Sequence, residues 1–285
     1  MKGIVWLASY PKSGNTWFRV FLTNLLRDGD EPAHINELES TPIASARGIF
    51  DNNIGFEASD LTADEVDRLR PELYIHLAEK AEGTLFMKIH DAYTDAADNR
   101  PLIPAEATAG AIYIIRNPLD VAVSSAHHNG SDYDTAIARM ASDAFLAAKP
   151  DRLHDQLRQK LLSWSGHALS WIDLAPFPVC LLRYEDMKTR PLETFTGAVR
   201  FAGLPHTVAQ IQKALEFSSF KVVRQQEEAD GFQEKSSASK RFFRKGKIGS
   251  WREELTEEQA QRIVCDHWEV MRRFGYLDVN GKIVC

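Results

Sequence analysis

The sequence predicts an α/β fold: a mostly parallel sheet flanked by helices. Three observations carry that prediction. Four short apolar runs are each bounded by turn or polar residues. Helical periodicity fills the stretches beside them. The first run also breaks into a glycine-containing turn, YPKSGNTW, before re-entering an amphipathic pattern, as the opening of a strand–turn–helix unit does.

The four runs, read as buried strands, span 4–8, 84–89, 111–115 and 179–183. Helices are expected at 16–26, 62–81, 119–126, 134–147, 155–173, 191–202, 207–217 and 257–274. The segments LTADEV and LTEEQ each place a threonine ahead of acidic residues, a helix-start pattern. Stretches 28–60 and 225–240 lack either period and read as long loops, either lids or variable surface. No repeat or Gly/Ser linker divides the chain, so a single domain over 1–285 is expected, with the helix at about 257–274 packing on it.

Composition narrows the class. The chain has 285 residues, 44% hydrophobic and 26% charged, enough to bury a substantial core. A net charge of -6 disfavours a general nucleic-acid binder but leaves room for a local basic site. Cys180, Cys265 and Cys285 are too few and too far apart for a disulfide framework or a zinc cluster. No run reaches the ~18 apolar residues of a membrane span, and the first is cut short by Pro11 and Lys12. A cytoplasmic protein, without membrane or nucleic-acid partner, is expected.

In a parallel α/β sheet, ligands bind at the C-terminal strand ends, where YPKSGNTW falls. Gly14 permits close backbone approach. The amides of Ser13, Gly14, Asn15 and Thr16 would then point at an anion on the helix N-terminus, with Lys12 adding charge. The same turn also reads as a plain helix entry capped by Ser13 or Asn15, with Lys12 in solvent. It is not the usual nucleotide pattern, because its lysine precedes the glycine instead of following it.

Two further segments offer anion contacts. IYIIRNPLDVAVSSAHH places Arg116 at a strand end and Ser124 along the next helix, with Pro118 suited to its first turn. An Arg116–Asp120 surface pair with a merely packing Ser124 is the alternative. FFRKGKIGSWREEL gathers Lys240, Arg241, Arg244, Lys245, Lys247 and Arg252 around glycines and Trp251, in an otherwise acidic chain. Such a cluster is either a solvated face or a backbone loop around an anion.

Taken in order, these motifs resemble those of the cytosolic sulfotransferase family. YPKSGNTW is similar to that family's 5′-phosphosulfate loop, YPKSGTTW, differing at Asn15. Arg116 and Ser124 match its 3′-phosphate motif, and Arg244, Lys245 and Gly246 its RKGxxGxW motif. Tyr184 in RYEDM, Ser218 and Phe220 in FSSFK, and Trp17 fall at adenine-pocket positions. The resemblance implies a three-layer, P-loop-NTPase-like fold and a donor, 3′-phosphoadenosine 5′-phosphosulfate (PAPS), leaving as 3′-phosphoadenosine 5′-phosphate (PAP). No metal is expected, since a sulfuryl group carries less charge than a terminal phosphoryl group.

The resemblance also assigns roles. The second apolar run ends in LFMKIHDAY, and His90 falls where the family has its catalytic base in a Lys-x-His pair. Here KIHDAY replaces the family's frequent K-T-H-L-P. Lys12 would neutralise the bridging oxygen, Lys88 would steady the sulfuryl oxygens, and Ser124 would bind the 3′-phosphate and restrain Lys12. The expected acceptor is a small alcohol or phenol, less often an amine. Its pocket would come from loops 28–60, 91–104, 127–148 and 225–240, with Phe50, Phe56, Tyr93 and Phe145 as aromatic candidates that also read as core. An ATP- and magnesium-dependent kinase-like enzyme and a non-catalytic nucleotide binder are the competing readings. A monomer or homodimer is expected.

Overall fold

The computed structural model describes residues 2–148 and 154–284. The predicted α/β class is what the chain adopts, with a central parallel sheet and flanking helices. Its strands are β1 (Gly3–Ser9), β2 (Thr84–Ile89), β3 (Thr108–Ile115) and β6 (Val179–Arg183), in the order β2-β1-β3-β6. A small antiparallel pair joins β4 (Leu146–Ala147) to β5 (Gln159–Lys160). β1 and β2 are parallel, in register from Gly3 opposite Thr84 to Ala8 opposite Ile89. Every residue of β1 is buried, which explains a run that is continuously apolar and does not alternate.

The helices are α1 (Asn15–Arg27), α2 (Arg47–Ile54), α3 (Ala63–Lys80), α4 (Pro118–Asn129), α5 (Tyr133–Met140), α6 (Trp164–Leu169), α7 (Tyr184–Thr189), α8 (Pro191–Phe201), α9 (Val208–Phe217), α10 (Phe220–Asp230) and α11 (Glu257–Arg273). The two threonine start signals are full capping boxes: Thr62 with Glu65 opens α3, and Thr256 with Gln259 opens α11. Pro118 occupies the first turn of α4. Among the described residues, no helix is long and apolar enough to cross a membrane.

Several expectations need correction. The helix expected over 134–147 ends at Met140, and residues 146–147 form β4 instead. The one expected over 155–173 shrinks to α6 and a π-helical turn, Ser170–Leu174. Long-range hydrogen bonds override local periodicity there. The Lys160 amide donates to Asp91 Oδ1 (3.0 Å) and its carbonyl accepts from Ala92 (2.7 Å), holding 159–160 extended. Leu162 is left-handed (φ 58°), and Ser163 then caps α6 by accepting from the Gly166 amide (2.9 Å). Loops 28–60 and 225–240 are less irregular than expected, because α2 lies in the first and α10 enters the second. Of the three cysteines, Cys180 is half-buried, Cys265 is exposed, both are free thiols, and Cys285 lies outside the described residues.

The chain forms two compact units. One comprises Met1–Tyr10, Ser40–Tyr113 and Ser142–Leu181; the other comprises Pro11–Glu39, Ile114–Ala141 and Leu182–Cys285. In the first, Trp6 is fully buried, donates to Thr108 Oγ1 (2.9 Å) and meets Tyr74 edge-on at 5.0 Å. In the second, α1 packs on α9, and Phe18 and Phe21 close on Phe195 at 5.5 and 4.4 Å between ring centres.

Candidate functional site

The YPKSGNTW turn follows β1 and enters α1. Lys12 is left-handed at φ 72°, a conformation that costs a side-chain-bearing residue roughly 1–3 kcal/mol and marks functional turns. Gly14 is the N-cap, at φ 105°, and no side chain caps the helix. That disposes of the reading in which Ser13 or Asn15 caps it. A Cβ at Gly14 would lie 2.6 Å from the Tyr184 ring, so only glycine lets the turn approach that ring. Ser13 is fully buried and its Oγ has no hydrogen-bond partner among the described residues. A buried hydroxyl without a partner is costly unless a ligand completes it. Asn15 and Thr16 are also buried.

Arg116, just past β3, links this turn to the others. Its Nη1 donates to the Lys12 carbonyl (3.0 Å), its guanidinium lies 4.5 Å over the Tyr184 ring, and its Nη2 reaches the Lys247 carbonyl (3.5 Å). Its Nε is buried without a partner among the described residues. Asp120 lies 4.0 Å from Arg116, but both residues are buried, so this is not the surface pair of the alternative reading. Its carboxylate does more, accepting from the amides of Gly249 and Trp251 and from the Ser250 hydroxyl. Asp120 therefore fastens the basic loop to α4. Ser124 lies further along α4, half-buried.

Tyr184 opens α7 and meets Trp17 at 6.1 Å, edge to face. Glu185 then ties two strand ends together, accepting from the Asn117 amide (3.0 Å) and from the Tyr276 hydroxyl (3.0 Å). Burial pushes its carboxyl up. Phe220 packs on Gly246, where φ is 58° and a Cβ would come 2.5 Å from the ring. Lys12 Nζ lies 4.1 Å from the centre of the Phe242 ring, a cation–π contact the sequence did not suggest. So Lys12, Gly14, Trp17, Arg116, Tyr184, Phe220 and Gly246 are brought together within one unit. Ser218 is fully buried but donates to the Leu215 carbonyl of its own helix (3.2 Å).

The paired cations of the basic loop are occupied. Arg244 contacts Glu254 at 2.6 Å, and Lys245 reaches Glu254 at 2.8 Å and Glu253 at 2.7 Å. Burial disfavours the Glu254 carboxylate, but hydrogen bonds from Lys245, His127, Tyr133 and Arg244 outweigh it and hold the carboxyl below its ordinary range.

Lys88 and His90 belong to the other unit. Lys88 is buried in β2, and its backbone is bracketed by the Pro42 carbonyl and the Ala44 amide, each at 2.8 Å. His90 Nδ1 lies 2.8 Å from the Ser9 carbonyl. A carbonyl only accepts, so the neutral ring carries its proton on Nδ1 and presents a lone pair on Nε2. The following backbone is pinned: His167 Nε2 donates to the His90 carbonyl (3.0 Å) and Trp171 Nε1 to the Asp91 carbonyl (3.0 Å). Asp91 pairs with Arg70 at 2.6 Å, both wholly buried, and Arg70 also reaches Asp67, which Arg158 pairs from its other side. His167 is kept neutral, its pKa pushed down to about 4 by burial, so its Nδ1 accepts from Tyr113 (2.8 Å). Of the aromatic candidates in this unit, Phe50 is core and Phe56 is exposed (62%).

Sequence reasoning missed Phe242, Lys188, the Arg70–Asp91–His167 frame and the bonds from Asp120 to Gly249–Trp251. A signal existed for Lys188, which follows Tyr184 by one helical turn and so shares its face.

With this geometry in view, comparison with known proteins identifies the family. The chain is 26% identical over 266 residues to sulfotransferase 2A1 of Rattus norvegicus, covering 90% of this chain and 80% of that one. It is 24% identical over 268 residues to the 3-beta-hydroxysteroid sulfotransferase of Cavia porcellus, covering 90% and 79%. In fold it is similar to a retinol dehydratase crystallised with retinol and PAP, with a TM-score of 0.61, 22% identity and coverage of 94% and 81%. A family model described as the sulfotransferase domain matches residues 2–275, so the chain belongs to the sulfotransferase domain family.

Proposed function

We propose that the chain transfers the sulfuryl group of PAPS to the hydroxyl of a small apolar or aromatic alcohol, releasing PAP. One observation carries the donor assignment. Ser13 Oγ and Arg116 Nε are both buried without a hydrogen-bond partner among the described residues, at a left-handed turn where a Cβ on Gly14 would strike the Tyr184 ring. Such a cradle fits an anionic group approaching backbone amides. In this reading the residues from Lys12 to Thr16 hold the 5′-phosphosulfate, and Trp17, Tyr184, Ser218 and Phe220 hold the adenine. Arg116, Ser124, Arg244, Lys245 and Gly246 hold the 3′-phosphate.

The reaction is an in-line displacement at sulfur. The acceptor oxygen forms a bond to sulfur as the sulfur–oxygen bond to the 5′-phosphate breaks, and the acceptor proton passes to His90 Nε2. The proton on Nδ1, facing the Ser9 carbonyl, supports that assignment. Lys12 meets charge developing on the departing oxygen, and Lys88 meets charge on the sulfuryl oxygens. Alignment and electrostatics supply most of the acceleration in the analogous phosphoryl transfers. The relatives named for a hydroxysteroid and crystallised with retinol support an apolar alcohol as acceptor.

Incubation with radiolabelled PAPS and a panel of phenols, sterols, retinoids and glycosides, in excess chelator, tests the reading. Label should pass to at least one apolar alcohol or phenol at an undiminished rate. A strict requirement for added divalent metal would overturn the metal-independent mechanism. Transfer to glycosides alone would overturn the acceptor class.

A further inference from the structure

Lys188 is a half-buried cation that nothing among the described residues neutralises. Its Nζ lies 5.2 Å from the Trp17 ring centre and 5.9 Å from the Phe220 ring centre, and neither a carboxylate nor a hydrogen-bond acceptor among the described residues pairs with it. Burial lowers its pKa, and the Arg116 charge lowers it further. The contrast with Arg244 and Lys245 is informative, since both are paired with glutamates. A half-buried cation held against aromatic rings is unfavourable without an anion. Its cation–π contacts offset only part of that cost.

We propose that Lys188 is a further donor-binding residue, its ammonium pairing with the 3′-phosphate of the adenosine 3′,5′-bisphosphate. The proposal rests on the donor reading above and adds a residue to it. Position decides which phosphate. Arg116, the residue assigned to the 3′-phosphate, lies 4.5 Å over the Tyr184 ring, one helical turn before Lys188 on α7, while in the proposed reading the 5′ group belongs to the amides of the Ser13–Thr16 turn. The Lys188 ammonium itself lies against the Trp17 and Phe220 rings, so it shares the aromatic walls that Tyr184 and Arg116 adjoin.

Calorimetric titration of PAP and of adenosine 5′-phosphate into wild type, Lys188→Met and Lys188→Arg tests this. Lys188→Met should weaken PAP by roughly tenfold or more, as loss of a charge-assisted contact does. It should leave adenosine 5′-phosphate within about twofold, while Lys188→Arg recovers most of the PAP affinity. Unchanged PAP binding, or an equal loss for both ligands, would overturn the proposal in favour of a packing role. Should Lys188→Met fail to melt cooperatively, Lys188→Gln takes its place with the same expectation. A wild type that binds PAP no more tightly than adenosine 5′-phosphate would sink the donor reading itself, which the variants alone do not address.

Discussion

The Lys12–Trp17 turn and the Lys88–Ala92 segment each follow a strand of the same sheet, yet they are built in opposite ways. Around the turn, polar groups are left over: Ser13 Oγ and Arg116 Nε lack partners, and Lys188 lacks a counter-ion, among the described residues. Its backbone is also strained at Lys12. Around His90 the polar groups are consumed. His90 Nδ1, the His90 and Asp91 carbonyls and the Asp91 carboxylate all have protein partners. The first region is electrostatically incomplete until something anionic arrives. The second has those atoms bonded within the protein, as a frame that aims one imidazole must. In the proposed reading, unsatisfied polarity marks where the donor is held, and satisfied polarity marks where His90 is positioned to react.

The comparison breaks first at His90. His90→Gln should cut turnover roughly 10²–10⁴-fold while leaving PAP affinity intact in calorimetry. Slow loss of both together would place His90 in binding instead. Next in size is Arg70→Met, which strips the buried Asp91 carboxylate of its counter-ion and leaves Asp67 to Arg158 and Lys160. Removing one partner of a buried pair typically costs about 3–5 kcal/mol, so denaturant melts should shift strongly. PAP binding by the folded fraction should not change.

Gly14→Ala probes the other region. It needs a left-handed alanine whose Cβ meets the Tyr184 ring, so PAP affinity should fall by well over tenfold, about 1.4 kcal/mol per decade. His167 gives a pH signature. Its pKa is about 4 in the folded chain, below the ordinary 6.5, so the unfolded state binds the extra proton between those values. Stability is therefore full above pH ~6.5 and declines as pH falls toward ~4, by up to about 1.4 kcal/mol per unit. His167→Phe should flatten that decline in pH-resolved melts, at the cost of the Tyr113 and His90 hydrogen bonds. The smallest effect belongs to Ser13→Ala. With no side-chain hydrogen bond to lose among the described residues, stability should hold, while PAP weakens by roughly three- to tenfold.

Much of this was legible in the sequence where local chemistry decides. The strand at 84–89 and the one at 179–183 begin and end as read, because each is a short apolar run fenced by turn residues. The capping boxes of Thr62 and Thr256 were legible because they are satisfied within four residues. The left-handed turn at Lys12–Gly14 showed itself as a spacing of lysine and glycine, which is a local property too. What failed was decided at a distance. Residues 155–163 carry helical periodicity, but Asp91 claims the Lys160 amide from across the sequence. Asp120 looked like a simple partner for Arg116, yet it also organises Gly249–Trp251. The frame behind His90 draws on residues from Ser9 to Trp171, and no window of sequence contains it.

The central claim is that the incomplete region around Lys12 and Arg116 holds an adenosine 3′,5′-bisphosphate. Isothermal titration of PAP against ATP with magnesium tests it most directly. The account predicts that PAP binds at least ~100-fold more tightly than ATP, a difference of about 2.7 kcal/mol. Equal affinity, or a preference for ATP, would contradict it.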